Sequence, residues 1–414
     1  MSKLNRFGRV SPKMSGAQSA GLVGAARAYG RISGAERLLG LSQGSLANAN
    51  STVVGQIPAL GPYWGLCCYF VNYNNAPYTI TKAATAAAPT HQHVGFGLDW
   101  RPITVGGVET DIVIAAGVGE AEDTVPEIVA SDIIWCPSVE RTDDLTKKRL
   151  QQFRTYAAGT QWALGLTSGF IAALNADPAS AGRQFASRLP AGDRVTTIQD
   201  NTTSQPLESG GWFSPWHVEF FYENSVQSIA FCGDSLTQGQ GSSTAGVSHG
   251  QLGFPQRACD AVPHTTCLNM GVGGQHHAAS MATARTVIDV FRPDRIVLFA
   301  WSPNDSAASD EIMIACRLDV LQTLEYARRA GVARTLCTSG PVSSYSVGDD
   351  ARIKSQNNWS RKVCASGLAD LADIAPLLED PSDPANIRPD LAADGTHNNS
   401  PGYQLISPVV AATF

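Results

Sequence analysis

Ser235, in the sequence Gly-Asp-Ser-Leu at 233–236, is the first candidate for a chemically active residue in this chain. The segment directly follows an apolar run at 228–232 that has the length and composition of a buried strand. A serine on a tight turn after such a strand is exposed at the end of a sheet, where Ser235 can act as a nucleophile. The alternative is that Ser235 only caps the following helix. This segment alone leaves both interpretations open.

A serine hydroxyl needs a base to take its proton, and that base needs a group to orient it. Asp394 and His397, near the C-terminus, are three positions apart with Gly395 between them. Around such a turn the Asp394 carboxylate can accept from Nδ1 of His397, which leaves Nε2 free to face Ser235. Taken alone, an aspartate beside a histidine is more often an ordinary surface pair.

The charge that develops in acyl transfer needs hydrogen-bond donors that are fixed in advance. Two loops after further apolar runs can supply them. The loop at 269–275 contains glycines that let a backbone N–H turn into a site, and the loop at 301–305 carries the side-chain amide of Asn304. Each loop alone is ordinary. All the candidate loops leave the same edge of one predicted sheet, and this shared position favours a serine-hydrolase site.

Together the blocks resemble those of the SGNH, or GDSL-type, serine esterases and lipases, over about residue 228 to the C-terminus. The resemblance implies Ser235 as nucleophile and His397 as base, with Asp394 behind it. It also implies three oxyanion donors, from Ser235 itself, Gly274 and Asn304. The chemistry implied is acyl transfer through an acyl-enzyme, and no metal or organic cofactor is expected.

The chain departs from the family pattern at one position. The third block usually carries a glycine two residues before its asparagine, where this chain has Ser302. In the second block, the choice of Gly274 over Gly271 and Gly273 is a judgement of register.

The elements that must position these residues differ along the chain. From 226 to 414, apolar strands alternate with helical stretches, the clearest at 311–330. This pattern predicts an α/β fold with a doubly wound parallel sheet of SGNH-hydrolase type. From 51 to 225, short β-rich runs are broken by glycine, proline and asparagine, which predicts an all-β domain like a sandwich or jelly roll. Within it only 144–156 looks helical, and residues 1–50 are expected to form a flexible or partly helical arm.

The composition argues against several classes of function. With 43% hydrophobic and 16% charged residues and no long apolar run, the chain has the make-up of a soluble globular protein without a membrane span. A net charge of -6 argues against nucleic acid as the main partner. The nine cysteines include no CxxC pair and are expected to be reduced. The basic start is a poor secretory signal, so we expect a cytoplasmic protein or one released without a recognisable signal peptide.

Two other sequence patterns are typical of functional sites, one of a nucleophile and one of a metal site. Residues 40–44 satisfy G-x-S-x-G around Ser42, but that motif needs a strand before it, and the preceding stretch looks helical or disordered. His91 and His93 have the spacing of metal ligands on a strand, but no cysteine or carboxylate spacing accompanies them. Neither pattern displaces Ser235.

The sequence therefore predicts a serine carboxylic-ester hydrolase, most simply one that removes short acyl groups such as acetyl from carbohydrates or small esters. Lipid or thioester hydrolysis and O-acyl transfer with the same triad stay open, as does a non-catalytic binding or structural role, for example in a virion. The oligomeric state is not specified by the sequence. The hypothesis of a carbohydrate substrate rests on the tryptophans of the β-rich region, whose rings can stack on sugars. Aromatic residues in such a region more often fill the core. These tryptophans are Trp64, Trp100, Trp135, Trp162, Trp212 and Trp216.

Overall fold

The structure is a computed structural model. It describes residues 32–33, 42–45, 51–59, 63–72, 76–88, 100–120, 123–135, 149–156, 162–165, 185–191, 217–222, 226–242, 253–305, 309–343 and 347–414.

Strands form nearly all of the described secondary structure before residue 226. They are β1 Ile32–Ser33, β2 Ser42–Ser45, β3 Ser51–Ala59, β4 Tyr63–Asn72, β5 Tyr78–Ala88, β6 Arg101–Pro102, β7 Thr110–Ile114, β8 Glu127–Ala130, β9 Ile134–Trp135, β10 Arg149–Tyr156, β11 Trp162–Gly165, β12 Phe185–Ala191 and β13 His217–Tyr222.

These strands make two larger antiparallel sheets and one pair. One sheet has the order β1-β13-β4-β8 with β9 beside β4, the other has the order β12-β3-β10-β5-β6 with β7 beside β5, and the pair is β11-β2. The hydroxyl of Tyr63 on β4 donates to Oε1 of Gln151 on β10 at 2.6 Å, so side chains of the two larger sheets meet.

The helix expected at 144–156 is wrong where the structure describes it, because Arg149–Tyr156 is strand β10. This strand lies between β3 and β5 and pairs antiparallel with both. Its polar residues suggested an exposed helix face, but Gln151 and Arg154 are buried. The Arg154 guanidinium lies 4.2 Å from the centre of the Trp100 ring, and Gln151 donates to Thr85. Tertiary partners, which local sequence does not reveal, therefore override the helical pattern.

Two pieces of the N-terminal arm are described, and both are strands. Ile32–Ser33 pairs antiparallel with β13, and Ser42–Ser45 pairs antiparallel with β11. Ser42 thus begins a strand and does not lie on the strand-to-helix turn that a G-x-S-x-G nucleophile requires.

From residue 226 onward strands and helices alternate, which confirms the predicted α/β fold. The strands are β14 Gln227–Phe231, β15 Thr265–Asn269, β16 Arg295–Phe299, β17 Ala333–Cys337 and β18 Asp370–Ala372, followed by the hairpin β19 Glu379–Asp380 and β20 Asp383–Ile387. The first five are parallel and form one sheet in the order β15-β14-β16-β17-β18. The helices are α1 Ser235–Gln238, α2 Phe254–Asp260, α3 His277–Phe291, α4 Asp310–Arg329, α5 Val347–Ala365, α6 Ala375–Leu378 and α7 Ser400–Ala411.

Apolar side chains on both faces of each central strand explain why helices cover both sides of the sheet. Ala230 and Leu298 face one core cluster, which includes residues of α3, α4 and α5. Their neighbours Phe231 and Val297 face a second cluster, which includes residues of α2, α6 and α7. Successive residues of a strand point to opposite faces, so an unbroken apolar run is buried on both sides.

Helix α4 follows the predicted spacing closely. Cys316, Val320 and Leu324 are buried along one face, and the helix carries acidic residues in its first turn and arginines in its last. These charges complement the helix dipole. Gly331, just beyond the helix, has a φ of 77°, the left-handed conformation that favours glycine after a helix end.

The strand order determines where ligands can reach this sheet. From β14 the chain moves outward to β15 and then returns past β14 to β16. In open α/β sheets the crevice beyond the carboxyl ends of strands at such a switch point is the usual ligand site. Here it lies between the loops that follow β14 and β16, which carry Ser235 and Asn304.

The β-rich part and the α/β part share a core. Tyr69 of β4 and Phe221 of β13 belong to the same cluster of buried side chains as residues of α3. At the end of α3, the Phe291 ring centre lies 4.6 Å from that of Tyr69 and 5.5 Å from that of His217.

Eight of the nine cysteines lie in the described residues, and none of these eight forms a disulfide there. Among the helices that the structure describes, none is long and apolar enough to cross a membrane.

Candidate active site

The nucleophile candidate Ser235 opens helix α1 at the end of β14 and is 5% exposed. The preceding Asp234 is the N-cap of this helix, and its Oδ1 accepts from the Leu236 N–H at 2.9 Å. Gly233 leaves room for the turn, since a Cβ there would lie 2.2 Å from Oγ1 of Thr237. The small residue before Asp234 therefore lets the helix start close against the strand.

His397 and Asp394 lie directly beside this serine. Nε2 of His397 is 2.9 Å from Oγ of Ser235, and Nδ1 is 2.9 Å from Oδ2 of Asp394. The structure thus brings together three residues that the sequence separates by up to 162 positions. In this arrangement a histidine can take a proton from a serine hydroxyl while a carboxylate orients its ring.

The loop that carries His397 is closed by its own backbone. The Ala393 N–H donates to the His397 carbonyl at 2.8 Å. Oδ1 of Asp394 accepts from the N–H groups of Thr396 and His397, both at 2.7 Å. Partial burial raises the pKa of Asp394, but bonds from the His397 ring and these N–H groups outweigh it and hold the pKa below its usual value. Asp394 therefore stays ionised beside the imidazole.

The second block packs tightly against the nucleophile turn. A Cβ on Gly271 would lie 2.4 Å from the backbone nitrogen of Gln238, and one on Gly273 would lie 2.7 Å from Oε1 of Gln238. The N–H of Gly271 donates to Oδ1 of Asn269 at 2.9 Å. Gly274 differs from both, because its φ of 80° places it in the left-handed region. The first two glycines thus permit close approach, and Gly274 permits the turn.

The third block is a 3-10 turn, Pro303–Asp305, at the end of β16. Nδ2 of Asn304 donates to the Gln275 carbonyl at 3.0 Å and lies 3.2 Å from Oγ of Ser302. Because Gln275 follows Gly274, these bonds join the loops that carry the two candidate oxyanion donors.

Acidic side chains surround the start of helix α3. The carboxylate of Asp123, from the β-rich part, accepts from the His276 backbone at 2.8 Å and lies 2.9 Å from Nδ1 of its ring. Oδ2 of Asp305 accepts from the His277 N–H at 3.1 Å. Burial raises the pKa of Asp305 to about 6, although the bond from His277 and the charge of His276 act in the opposite direction. Both carboxylates thus hold the helix next to the second block.

Sequence reasoning missed Asp123 and His276, and it noted Ser302 only as a departure from a pattern. Asp123 is 153 residues from its partner and belongs to no motif, so no spacing could have indicated it.

The structure brings no other described candidate from the sequence into this site. His91 and His93 lie outside the described residues, and within the described ranges no group of three or more His, Cys, Asp or Glu side chains could hold a metal ion.

Of the six tryptophans, the structure describes the side chains of Trp100 and Trp135. Trp100 lies against Arg154, and Trp135 packs against the core shared by both parts. Neither lies in an open platform.

Residues 231–405 match the model of the GDSL-like Lipase/Acylhydrolase family, a match that covers less than half of the chain. The protein is an enzyme with a GDSL-like hydrolase domain in this part of the chain. No curated protein matches the chain.

Several solved structures are similar to somewhat less than half of the chain. A member of the lipolytic protein G-D-S-L family from Veillonella parvula DSM 2008 has 17% identity and a TM-score of 0.38, over 46% of this chain and 98% of that one. A GDSL-like lipase from Bacteroides thetaiotaomicron VPI-5482 has 13% identity and a TM-score of 0.37, over 45% of this chain and 86% of that one. The acetyl xylan esterase AlAXEase has 18% identity and a TM-score of 0.35, over 45% of this chain and 98% of that one.

Proposed function

We propose that this protein is a serine carboxylic-ester hydrolase that forms an acyl-enzyme on Ser235. The observation that carries the proposal is the 2.9 Å contact between Oγ of Ser235 and Nε2 of His397, with Asp394 on the far side of the ring. His397 takes the serine proton as Oγ attacks the ester carbonyl, and Asp394 keeps the other ring proton on Nδ1. His397 then protonates the leaving alcohol and later activates the water that frees Ser235.

In this proposal the tetrahedral oxyanion is held by the N–H groups of Ser235 and Gly274 and by the side-chain amide of Asn304. The backbone of the second block supports Gly274. The N–H of Gly271 is taken by Asn269, whereas the left-handed φ of Gly274 turns the chain next to Gln275, which contacts Asn304.

We further propose that the acyl group is short, such as acetyl. An apolar cavity lies beneath the catalytic loops, lined by Leu236 and Thr396, the neighbours of the nucleophile and the base, and by core residues that include Phe254 and Phe299. Its volume is about 10 Å³, about the space of one water molecule. The packing beneath the catalytic loops, which includes buried aromatic side chains, therefore has no room for a long acyl chain. A carbohydrate ester or another small ester supplies such an acyl group.

The first experiment tests the nucleophile. We expect Ser235→Ala to abolish hydrolysis of p-nitrophenyl acetate and labelling by a fluorophosphonate probe, with an unchanged circular dichroism spectrum. Ser360→Ala is the matched control, because Ser360 is a buried serine on α5 whose hydroxyl bonds to the Gln356 carbonyl, away from the site. Activity that survives in Ser235→Ala would remove the basis of the proposal.

An acyl-length series separates the substrate classes. We expect kcat/KM to fall as the acyl group of the p-nitrophenyl ester lengthens, from acetate through butyrate and octanoate to laurate. A rise along the series would identify a lipid or thioester hydrolase. Transfer of the acyl group to an added sugar in preference to water would identify an acyltransferase, and inert protein without probe labelling would identify a binding module.

A further inference from the structure

Ser302 occupies the position where the family pattern has glycine, and its side chain is nearly fully buried, at 3% exposure. Its hydroxyl donates to Oδ2 of Asp234 at 2.6 Å. Asp234 is itself buried and caps helix α1, which begins with Ser235. The hydroxyl therefore links the loop after β16 to the helix that carries the nucleophile, through a charge-assisted bond of the stronger kind.

The same oxygen also faces Asn304. It lies 3.3 Å from the Asn304 backbone nitrogen and 3.2 Å from Nδ2 of its side chain. Two acceptors lie within reach of the single hydroxyl proton, Oδ2 of Asp234 at 2.6 Å and the Gln275 carbonyl at 3.1 Å. Either bond uses the proton, so toward Asn304 the hydroxyl oxygen can only accept. The lone pairs of the Ser302 oxygen are thus left to accept from the N–H groups of Asn304.

These contacts determine which end of the Asn304 amide is presented to its neighbours. The Gln275 carbonyl can only accept, and the Ser302 oxygen accepts because its proton is committed. Two acceptors at Nδ2 select the NH₂ end of the amide at this place and exclude the carbonyl end. Nδ2 carries two protons, so in the proposed reaction the oxyanion takes the proton of the longer, 3.2 Å contact to Ser302, while the 3.0 Å bond to Gln275 stays. Glycine at position 302 would leave one acceptor, at Gln275, and would remove the link to Asp234.

We propose that Ser302 is a positioning residue of the oxyanion site, whose hydroxyl ties Asn304 to the nucleophile loop and sets the orientation of its amide. The inference rests on the proposed function, in which Asn304 donates to the oxyanion. Ser302 does not touch the substrate and acts through Asn304 and Asp234. A merely structural serine would change stability, whereas a positioning serine changes the stabilisation of the transition state.

The test compares kcat and KM for p-nitrophenyl acetate in Ser302→Ala and Ser302→Gly. We expect kcat to fall about 10- to 100-fold in both, less than the loss of a donor itself, with KM changed less than about threefold. The isosteric pair Ser302→Thr and Ser302→Val separates the hydroxyl from packing, because both add similar bulk. Threonine should retain most of the parental kcat, and valine should lose it to the extent that alanine does.

A double variant shows whether the effect passes through Asn304. In an Asn304→Ala background, Ser302→Ala should lower kcat less than about twofold further, since the amide it orients is gone. Parental kcat in Ser302→Ala, equal kcat in the threonine and valine variants, or fully additive losses in the double variant would each overturn the inference. Activity in Ser235→Ala would instead overturn the proposed function, so the two failures are distinguishable.

Discussion

At the scale of single residues, the site combines a buried carboxylate with a partly exposed one. Burial raises the pKa of Asp234, although the bond from Ser302 and the N–H of Leu236 lower it. Asp394 is held below its usual pKa, as its bonds to His397 and the nearby backbone outweigh its partial burial. Asp394 contacts Nδ1 of His397, and Asp234 caps the helix that begins with Ser235. The two carboxylates thus have different tasks, one beside the candidate base and one beneath the candidate nucleophile.

Asn304→Ala tests the side-chain donor at this scale. We expect kcat to fall roughly 100- to 1,000-fold with little change in KM, because the amide stabilises charge that exists only in the transition state. Steady-state kinetics on p-nitrophenyl acetate measure both constants. A variant in which KM rises and kcat is unchanged would show that Asn304 binds the ground state, which contradicts its place in the oxyanion site.

The sequence identified Ser235, Gly274 and Asn304 because each follows a strand of one sheet. Their separation in the chain does not matter once the sheet order places the loops together. Asp394 and His397 differ from this expectation, because their loop follows the separate hairpin β19–β20.

The sequence does not predict the hydrogen bonds of Ser302, because the partners of its hydroxyl lie on the separate loops of Asp234 and Asn304. The sequence shows that Ser302 differs from the glycine of the family pattern, but its contacts with Asp234 and Asn304 exist only in the folded protein.

At the scale of elements, the start of α3 connects the site to the stability of the fold. His277 is the first residue of this helix and is buried. Burial lowers the pKa of His277 to about 4, so the side chain is neutral in the folded protein at neutral pH. In the unfolded chain the imidazole has an ordinary pKa and takes up a proton below about pH 6.5. Acid therefore favours unfolding through this residue.

His277→Gln should weaken the acid sensitivity of the fold. A depressed folded pKa contributes stability that is fully present above about pH 6.5 and is lost as pH falls toward 4. We expect the loss in free energy of unfolding between pH 7 and pH 4.5 to be smaller by about 2 to 3 kcal/mol in the variant. Urea unfolding at both values measures it, with the exposed His264→Asn as control. Equal losses in His277→Gln and the parent protein would contradict the prediction.

Elements were predicted well where one local pattern decides them. The α/β strands are continuous apolar runs, and α4 has both apolar spacing and end charges. Strand β10 was mistaken for a helix because buried partners satisfy its polar side chains, and the local pattern contains no sign of those partners.

At the scale of the whole molecule, the β-rich part and the α/β part bury side chains against each other. Phe291 lies at the centre of this contact, between the rings of Tyr69 and His217. Asp123 adds a polar link to His276 beside the second block. The division at residue 226 stays a prediction for domain boundaries, but the shared core indicates that the two parts stabilise each other.

Phe291→Ala should destabilise both parts together. Truncation of a buried phenylalanine costs about 3 to 5 kcal/mol, and we expect one unfolding transition at a lower urea midpoint. Tryptophan fluorescence and far-ultraviolet circular dichroism should report the same midpoint. Leu318→Ala, at an exposed position of α4, should change stability by less than about 0.5 kcal/mol. Two separate transitions would show that the parts unfold independently.

The position of the base late in the chain has a consequence for the order in which the enzyme is made. Ser235 is synthesised 162 residues before His397. At about 5 to 20 residues per second, Ser235 precedes His397 by roughly 8 to 30 seconds. During that interval the growing chain carries Ser235 without its proposed base. The proposed esterase activity therefore arises only when strand β20 and the His397 loop have been made, after the β-rich part is already present to receive helix α3.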